Sequence, residues 1–186
     1  NNNDYFIWSG HASATDNTQN LYIARMQNPW TLATGRTMIS SPTYAWEKAG
    51  APPAVNEGPE ILTNASGRVF LIYSASGCWT DDYTLGMLTL KEGGDPLKAS
   101  DWTKNATPVF AKNPGGGVYG PGHNSFFVSK DGTENWLLYH ANTSSGQGCG
   151  DNRSPRMQKF TWNADGTPNF GQPVGVGVPI TKPSGE

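Results

Sequence analysis

Short runs of apolar and aromatic residues recur at a nearly constant spacing along the chain. The first run, Tyr5–Gly10, aligns with a second at Phe70–Ala75 and a third at Trp136–Ala141, at offsets of 65 and 66 positions. A second apolar run follows each of them at a variable distance: Leu21–Met26, Leu85–Leu90 and Arg156–Trp162. Runs of this length that are rich in aromatic and β-branched residues predict β-strands. The pattern therefore predicts a repeated β-unit of about 65 residues.

A further strand precedes the first run in the second and third repeats, at Glu57–Leu62 and Gly122–Val128. The turn residues Ser66-Gly67 and Asp131-Gly132 separate the two strands in these repeats, as a hairpin requires. Carrying the 65-residue offset back from Glu57 lands about eight positions before residue 1. We therefore expect the first repeat to lack its opening strand.

Recurring groups of three or four antiparallel strands predict the blades of a propeller. A β-sandwich also has short strands and frequent turns, but it does not need the same ordered pattern three times. We therefore predict an all-β fold in which residues 1–186 are part of a single propeller. Residues 1–50 are assigned to an incomplete blade, 51–112 to a blade, and 113–186 to a blade with a closing segment. Such an arrangement leaves strand edges and blade faces open.

The composition limits the kinds of molecule that this chain is expected to bind. The chain has 13 Lys and Arg against 15 Asp and Glu, and this near balance without a basic stripe argues against nucleic acid. It contains no stretch of apolar residues long enough for a transmembrane helix, so no membrane partner is expected. The 21 aromatic residues, with many Asn, Ser and Thr, suit sugar binding. Many secreted β-proteins share this composition.

Several features bear on secretion. The first ten residues have neither a basic region nor an apolar stretch, so no signal peptide is expected in this sequence. Four Asn-x-Ser/Thr sites give mild support for a secreted origin: Asn64, Asn105, Asn142 and Asn152. Cys78 and Cys149 are either a disulfide or two free thiols, and the sequence leaves both readings open.

Two ionisable residues hold nearly equivalent positions in the repeat. Glu57 and His123 stand near the start of the predicted innermost strands of adjacent blades, where strands converge on a central channel. Gly58-Pro59 and Gly120-Pro121-Gly122 flank them and allow close backbone approach. The alternatives are a shared axial site, or a solvated Glu and a hydrogen-bonded His with structural roles.

Several motifs carry a more specific resemblance. The first two are Asn56-Glu57-Gly58-Pro59-Glu60 and Tyr119-Gly120-Pro121-Gly122-His123-Asn124-Ser125. The third is Arg153, which stands nine residues before Trp162 and is followed by the turn Asp165-Gly166-Thr167-Pro168. Together they resemble glycoside hydrolase family 43. That resemblance implies part of a five-bladed propeller that hydrolyses arabinose- and xylose-containing polysaccharides with inversion. The segments Ser40–Glu47 and Ser74–Trp79 are most similar to the family's exo-acting α-L-arabinofuranosidases.

The resemblance also implies roles for individual residues. Glu57 matches the general acid, and His123 matches the channel histidine that orders water or a metal ion beneath the sugar. Arg153 matches an arginine that orients sugar and carboxylates, and Arg156 is the second choice for that role. Further substrate-binding candidates are Asn124, Trp46, Trp79 and Tyr119, although blade packing explains any one of the three aromatic residues equally well. No cofactor is required, and a calcium ion in the central channel is compatible with the resemblance.

The sequence departs from the family pattern in one important respect. The catalytic base and a second Asp that tunes the acid are both missing, and Asp4 and Asp16 fall on the wrong strands. We therefore expect a secreted enzyme fragment that acts on arabinan or arabinoxylan and is inactive without the N-terminal part of the same propeller. The alternatives are a β-xylosidase, an endo-arabinanase or a non-catalytic carbohydrate-binding propeller. Long segments at Thr34–Asn56 and Asn142–Arg153 favour the closed pocket of an exo-enzyme.

Overall fold

The computed structural model describes residues 3–186, and residues 1 and 2 of the predicted incomplete blade lie outside the described residues. The described residues form three four-stranded antiparallel sheets and three 3-10 turns. In the first sheet β2 pairs on one side with β1 and on the other with both β3 and β4. Its strands are β1 Tyr5–Gly10, β2 Asn20–Asn28, β3 Thr31–Leu32 and β4 Thr37–Ser40.

The second and third sheets each have four strands in simple sequential order. The second comprises β5 Asn56–Thr63, β6 Val69–Ala75, β7 Thr84–Leu90 and β8 Trp102–Lys104. The third comprises β9 Tyr119–Val128, β10 Asn135–Asn142, β11 Ser154–Trp162 and β12 Pro168–Asn169. The 3-10 turns are Ala45–Glu47, Ala99–Asp101 and Pro114–Gly116. The predicted all-β architecture is confirmed.

The middle strand β6 is buried on both faces because the second sheet packs between the first and the third. Along β6, Phe70 and Ile72 belong to the core that the second sheet shares with the third. Leu71 and Tyr73, which alternate with them, belong to the core shared with the first sheet. Successive side chains of a strand point to opposite faces, so one apolar run fills two cores. This double burial explains why the strand pattern is a continuous apolar run rather than an alternation.

The segment Thr34–Asn56 is more ordered than the expected long loop. It contains β4 and the 3-10 turn Ala45–Glu47, and β4 pairs with β2 through residues such as Ser40, opposite Leu21. By contrast, the part of Asn142–Arg153 between β10 and β11 is a loop as expected. In the part of the chain that the structure describes, no helix has the length and apolar character needed to span a membrane.

Candidate active site

Glu57 and His123 meet at one end of the blades, where the inner strands begin. β5 starts opposite the end of β6, with Asn56 paired to Ala75, and β9 starts opposite the end of β10. A third residue, Tyr83, joins the two side chains. Its hydroxyl lies 2.8 Å from Oε1 of Glu57 and 3.3 Å from Nδ1 of His123. The two residues that hold nearly equivalent positions in the repeat thus lie close together, with a tyrosine between them.

Glycines make this close approach possible. Gly58 has φ +56°, and a Cβ there would lie 3.4 Å from the His123 ring. A Cβ on Gly122 would lie 2.3 Å from Cε1 of Tyr83, so a side chain at this position would collide with the ring. His123 itself adopts φ +54°, an uncommon conformation for a residue other than glycine. Its backbone N–H donates to Oγ of Ser74 at 2.7 Å, which helps to hold that conformation.

Tyr83 remains a hydrogen-bond donor because its environment keeps it protonated. The side chain is only 1% exposed. Burial, and secondarily the negative charge of Glu57, raise the pKa of Tyr83 well above its ordinary value. When the phenol donates its single proton to Glu57, its oxygen accepts from Nδ1–H of His123. The arrangement therefore favours the His123 tautomer that is protonated on Nδ1.

Arg153 is linked to Glu57, Tyr83 and His123 through a second histidine, His140. The His140 ring stacks on Tyr83 with centroids 5.8 Å apart and on His123 with centroids 6.0 Å apart. Nη1 of Arg153 donates to Nε2 of His140 at 3.2 Å. Burial, with the nearby Arg153 and His123, lowers the pKa of His140 to about 4, so this ring is neutral at neutral pH. We call these five residues, Glu57, Tyr83, His123, His140 and Arg153, the Glu57 cluster.

A buried carboxylate fixes the start of β5 beside the cluster. Glu47 accepts hydrogen bonds from Nδ2 of Asn56 at 3.0 Å and from the Tyr73 hydroxyl at 3.0 Å. It also forms an ion pair with Lys104 at 2.8 Å. Burial alone would raise the pKa of Glu47, but Lys104 and two backbone amides hold it below its ordinary value. Since Asn56 precedes Glu57, this network anchors the backbone that presents the candidate acid.

Two other polar candidates lie apart from the cluster's hydrogen bonds. Nη2 of Arg156 contacts the carbonyl of Asn142 at 3.4 Å, and its side chain lines a groove with Val176 and Ile180. Asn124 is buried, and its amide group has no hydrogen-bond partner within the described residues. Neither side chain is joined to the Glu57 cluster in the part of the chain that the structure describes.

The aromatic candidates have different environments. Trp46 packs against the core between the first two sheets, and its indole donates to the carbonyl of Ala106 at 2.9 Å. Trp79 is 45% exposed and donates to the carbonyl of Gly50 at 3.3 Å. Tyr119 is partly buried at the first position of β9. Packing accounts for Trp46, whereas Trp79 offers an exposed aromatic face.

The loops that follow β6 and β10 are joined at the same end of the blades. Cys78 and Cys149 form a disulfide, which resolves the two alternatives for these cysteines. Asp81 accepts a hydrogen bond from the Ser145 hydroxyl and another from the backbone of Gly146 at 2.9 Å. These links connect the loop that carries Trp79 to the loop that leads to Arg153.

The cluster does not suit the calcium ion considered above. Calcium takes six to eight oxygen ligands, whereas the cluster offers one carboxylate, one phenol and nitrogen donors. Throughout residues 3–186, no group of three or more His, Cys, Asp or Glu side chains could hold a metal ion. Metal binding by His123 therefore has no structural support.

Comparison with known proteins places the chain in a family. The family model for glycosyl hydrolases family 43 matches residues 1–168. The chain belongs to this family. An extracellular exo-α-(1→5)-L-arabinofuranosidase of Streptomyces avermitilis is 49% identical over 179 residues, covering 94% of this chain and 36% of that protein. α-L-Arabinofuranosidase 43 of Humicola insolens is 39% identical over 180 residues, with the same coverage of each chain, 94% and 36%.

The fold of this family 43 chain also matches a solved structure. The crystal structure of α-L-arabinofuranosidase from Lactobacillus brevis superposes with a TM-score of 0.85 at 44% identity. The match covers 94% of this chain and 54% of that structure. The family 43 chain thus spans about a third of the length of the two curated relatives named above and about half of this structural neighbour. The predicted family and fold class are both confirmed.

Proposed function

We propose that this chain contributes the acid side of the active site of an inverting exo-α-L-arabinofuranosidase. The observation that carries the proposal is Glu57, held by a buried phenol beside two histidines, in a chain 49% identical to an exo-α-(1→5)-L-arabinofuranosidase. The substrate class is an arabinose-containing polysaccharide or oligosaccharide. Two Streptomyces relatives have "extracellular" in their names, which supports a secreted enzyme.

Inverting hydrolysis needs two carboxyl groups with different tasks. One protonates the oxygen of the leaving group, and the other, about 6.5–9.5 Å away, activates a water molecule on the opposite face of the sugar. Glu57 takes the first task in this proposal. Within residues 3–186 no second carboxylate is hydrogen-bonded to the Glu57 cluster. We propose that the base comes from the N-terminal part of the same propeller.

The neighbours of Glu57 have supporting tasks in this mechanism. In this proposal His123 orders water or a sugar hydroxyl, and Arg153, which is hydrogen-bonded to His140, orients the sugar. The joined loops after β6 and β10 favour a closed pocket and hence removal of terminal residues. An endo-acting enzyme would instead need an open groove.

The proposal is tested by complementation. Incubated alone with an aryl α-L-arabinofuranoside, the 186-residue chain should show no turnover, because in this proposal the N-terminal part of the propeller supplies the base. Assembled with the N-terminal blades it should become active, and Glu57→Gln should then lower kcat by roughly 10²–10⁴-fold. Glu60→Gln is the matched control, because Glu60 is an exposed acid on the same strand.

Three results would count against the proposal. Turnover by the isolated chain would show that the base is not supplied from elsewhere. An assembled protein that tolerates Glu57→Gln would exclude Glu57 as the acid. Binding of arabinan without hydrolysis by the assembled protein would favour a non-catalytic binding propeller.

A further inference from the structure

The hydroxyl of Tyr83 is held in place from several sides. Its ring is buried between His140, on which it stacks with an interplanar angle of 2°, and the backbone of Gly122. The only atom that differs from phenylalanine is the hydroxyl oxygen, which points at both Glu57 and His123. A buried phenol usually has a hydrogen-bond partner, and the partner of Tyr83 is one carboxyl oxygen of the candidate acid.

Occupation of one carboxyl oxygen has a chemical consequence for the other. A general acid must carry its proton on the oxygen that faces the leaving group. Since the hydrogen bond from Tyr83 occupies Oε1, the proton of the neutral acid is directed to Oε2. The same hydrogen bond limits rotation of the carboxyl group, so Oε2 keeps one direction.

We infer that Tyr83 is a positioning residue for Glu57, which engages Oε1 and leaves Oε2 to deliver the proton. The inference rests on the proposed function. It goes beyond that function because Tyr83 lies outside the motifs that resemble the family. Loss of the hydroxyl should misplace the proton without removing the acid itself.

The test is Tyr83→Phe in the assembled propeller. We expect kcat to fall roughly 10- to 100-fold, as for a misaligned reacting group, with KM within about twofold. Tyr139→Phe is a matched control: Tyr139 is also buried and donates to Gln158, outside the Glu57 cluster and outside the Glu47 network. It should lower stability but leave kcat in place.

A second measurement needs no activity. In the 186-residue chain, the Tyr83 hydroxyl proton should be visible by NMR as a slowly exchanging downfield resonance. Glu57→Gln should move it upfield, whereas Glu60→Gln should not. A resonance that does not move in Glu57→Gln, or an unchanged kcat in Tyr83→Phe, would overturn the inference. The resonance could also respond to Glu57→Gln while the assembled protein hydrolyses no arabinofuranoside. That result would overturn the proposed function instead, and with it any catalytic use of Tyr83 and Glu57.

Discussion

His140 lies between a guanidinium and a second imidazole, and this placement makes stability depend on pH. Its pKa falls from an ordinary 6.5 to about 4 in the folded chain, first through burial and then through Arg153 and His123. Between these values the unfolded chain binds a proton that the folded chain does not. The free energy of unfolding should therefore be at its full value above about pH 6.5 and decrease as the pH falls towards about 4.

Urea unfolding at a series of pH values between about 4 and 7 measures this dependence. His140→Gln should reduce the slope in that window, because the variant has lost the histidine that gains a proton on unfolding there. His11→Gln, in an exposed loop, controls for the loss of a histidine and should leave the slope in place. An equal slope in wild type and His140→Gln would refute the assignment of the slope to this residue.

The residues of the Glu57 cluster were not equally predictable. Glu57 and His123 could be found because they hold the same place in two repeats. His140 carries a similar signal in the sequence, since it aligns with Ser74 at the end of the apolar strand, and both residues lie beside His123. Tyr83 gave no such signal, because it stands in a loop just before β7 and reaches the site only through the tertiary fold.

The disulfide between Cys78 and Cys149 joins loops of two different blades, so its removal acts between elements. It closes a segment with a sequence separation of 71, and in the chain-entropy model such a loop is worth about 4 kcal/mol. We expect the double variant Cys78→Ser/Cys149→Ser to lose about this much free energy of unfolding, measured by chemical denaturation under non-reducing conditions. Reduction of the wild-type chain should have the same effect.

The links from Asp81 to Ser145 and Gly146 remain in that variant, so the two loops should stay close. Amide exchange in both loops checks this expectation. If the double variant is as stable as the wild type, the links through Asp81 suffice and the disulfide adds nothing measurable to stability.

Whether a strand could be predicted from the sequence depended on how deeply that strand is buried. The central strand β6 could be found because packing on both sides requires a continuous apolar run, and β10 could be found because it repeats that run although Leu138 is exposed. The outer edge of the first sheet could not be found in the same way. There β3 and β4 are short, β3 is exposed, and both take their place by pairing with β2. Edge strands of this kind carry little apolar signal of their own.

For the molecule as a whole, the first sheet presents an open edge. β1 pairs with β2 and, among residues 3–186, its other edge has no strand partner. Phe6 on this strand is 51% exposed and begins an aromatic row in which it stacks on Trp8, and Trp8 on Tyr22. An edge strand with an exposed aromatic face is a template for pairing with another chain. The isolated 186-residue chain should therefore self-associate as its concentration rises.

Sedimentation velocity at increasing concentration measures this association. Phe6→Lys should keep the chain monomeric, because a charged edge residue opposes strand pairing. Trp30→Lys is the control, since Trp30 is 82% exposed but lies in the turn between β2 and β3 rather than on the open edge. If Trp30→Lys abolishes association and Phe6→Lys does not, exposed aromatic area rather than the β1 edge drives it. Addition of the N-terminal blades should suppress association of the wild type, because the edge used for self-pairing is the one those blades would cover in a closed propeller.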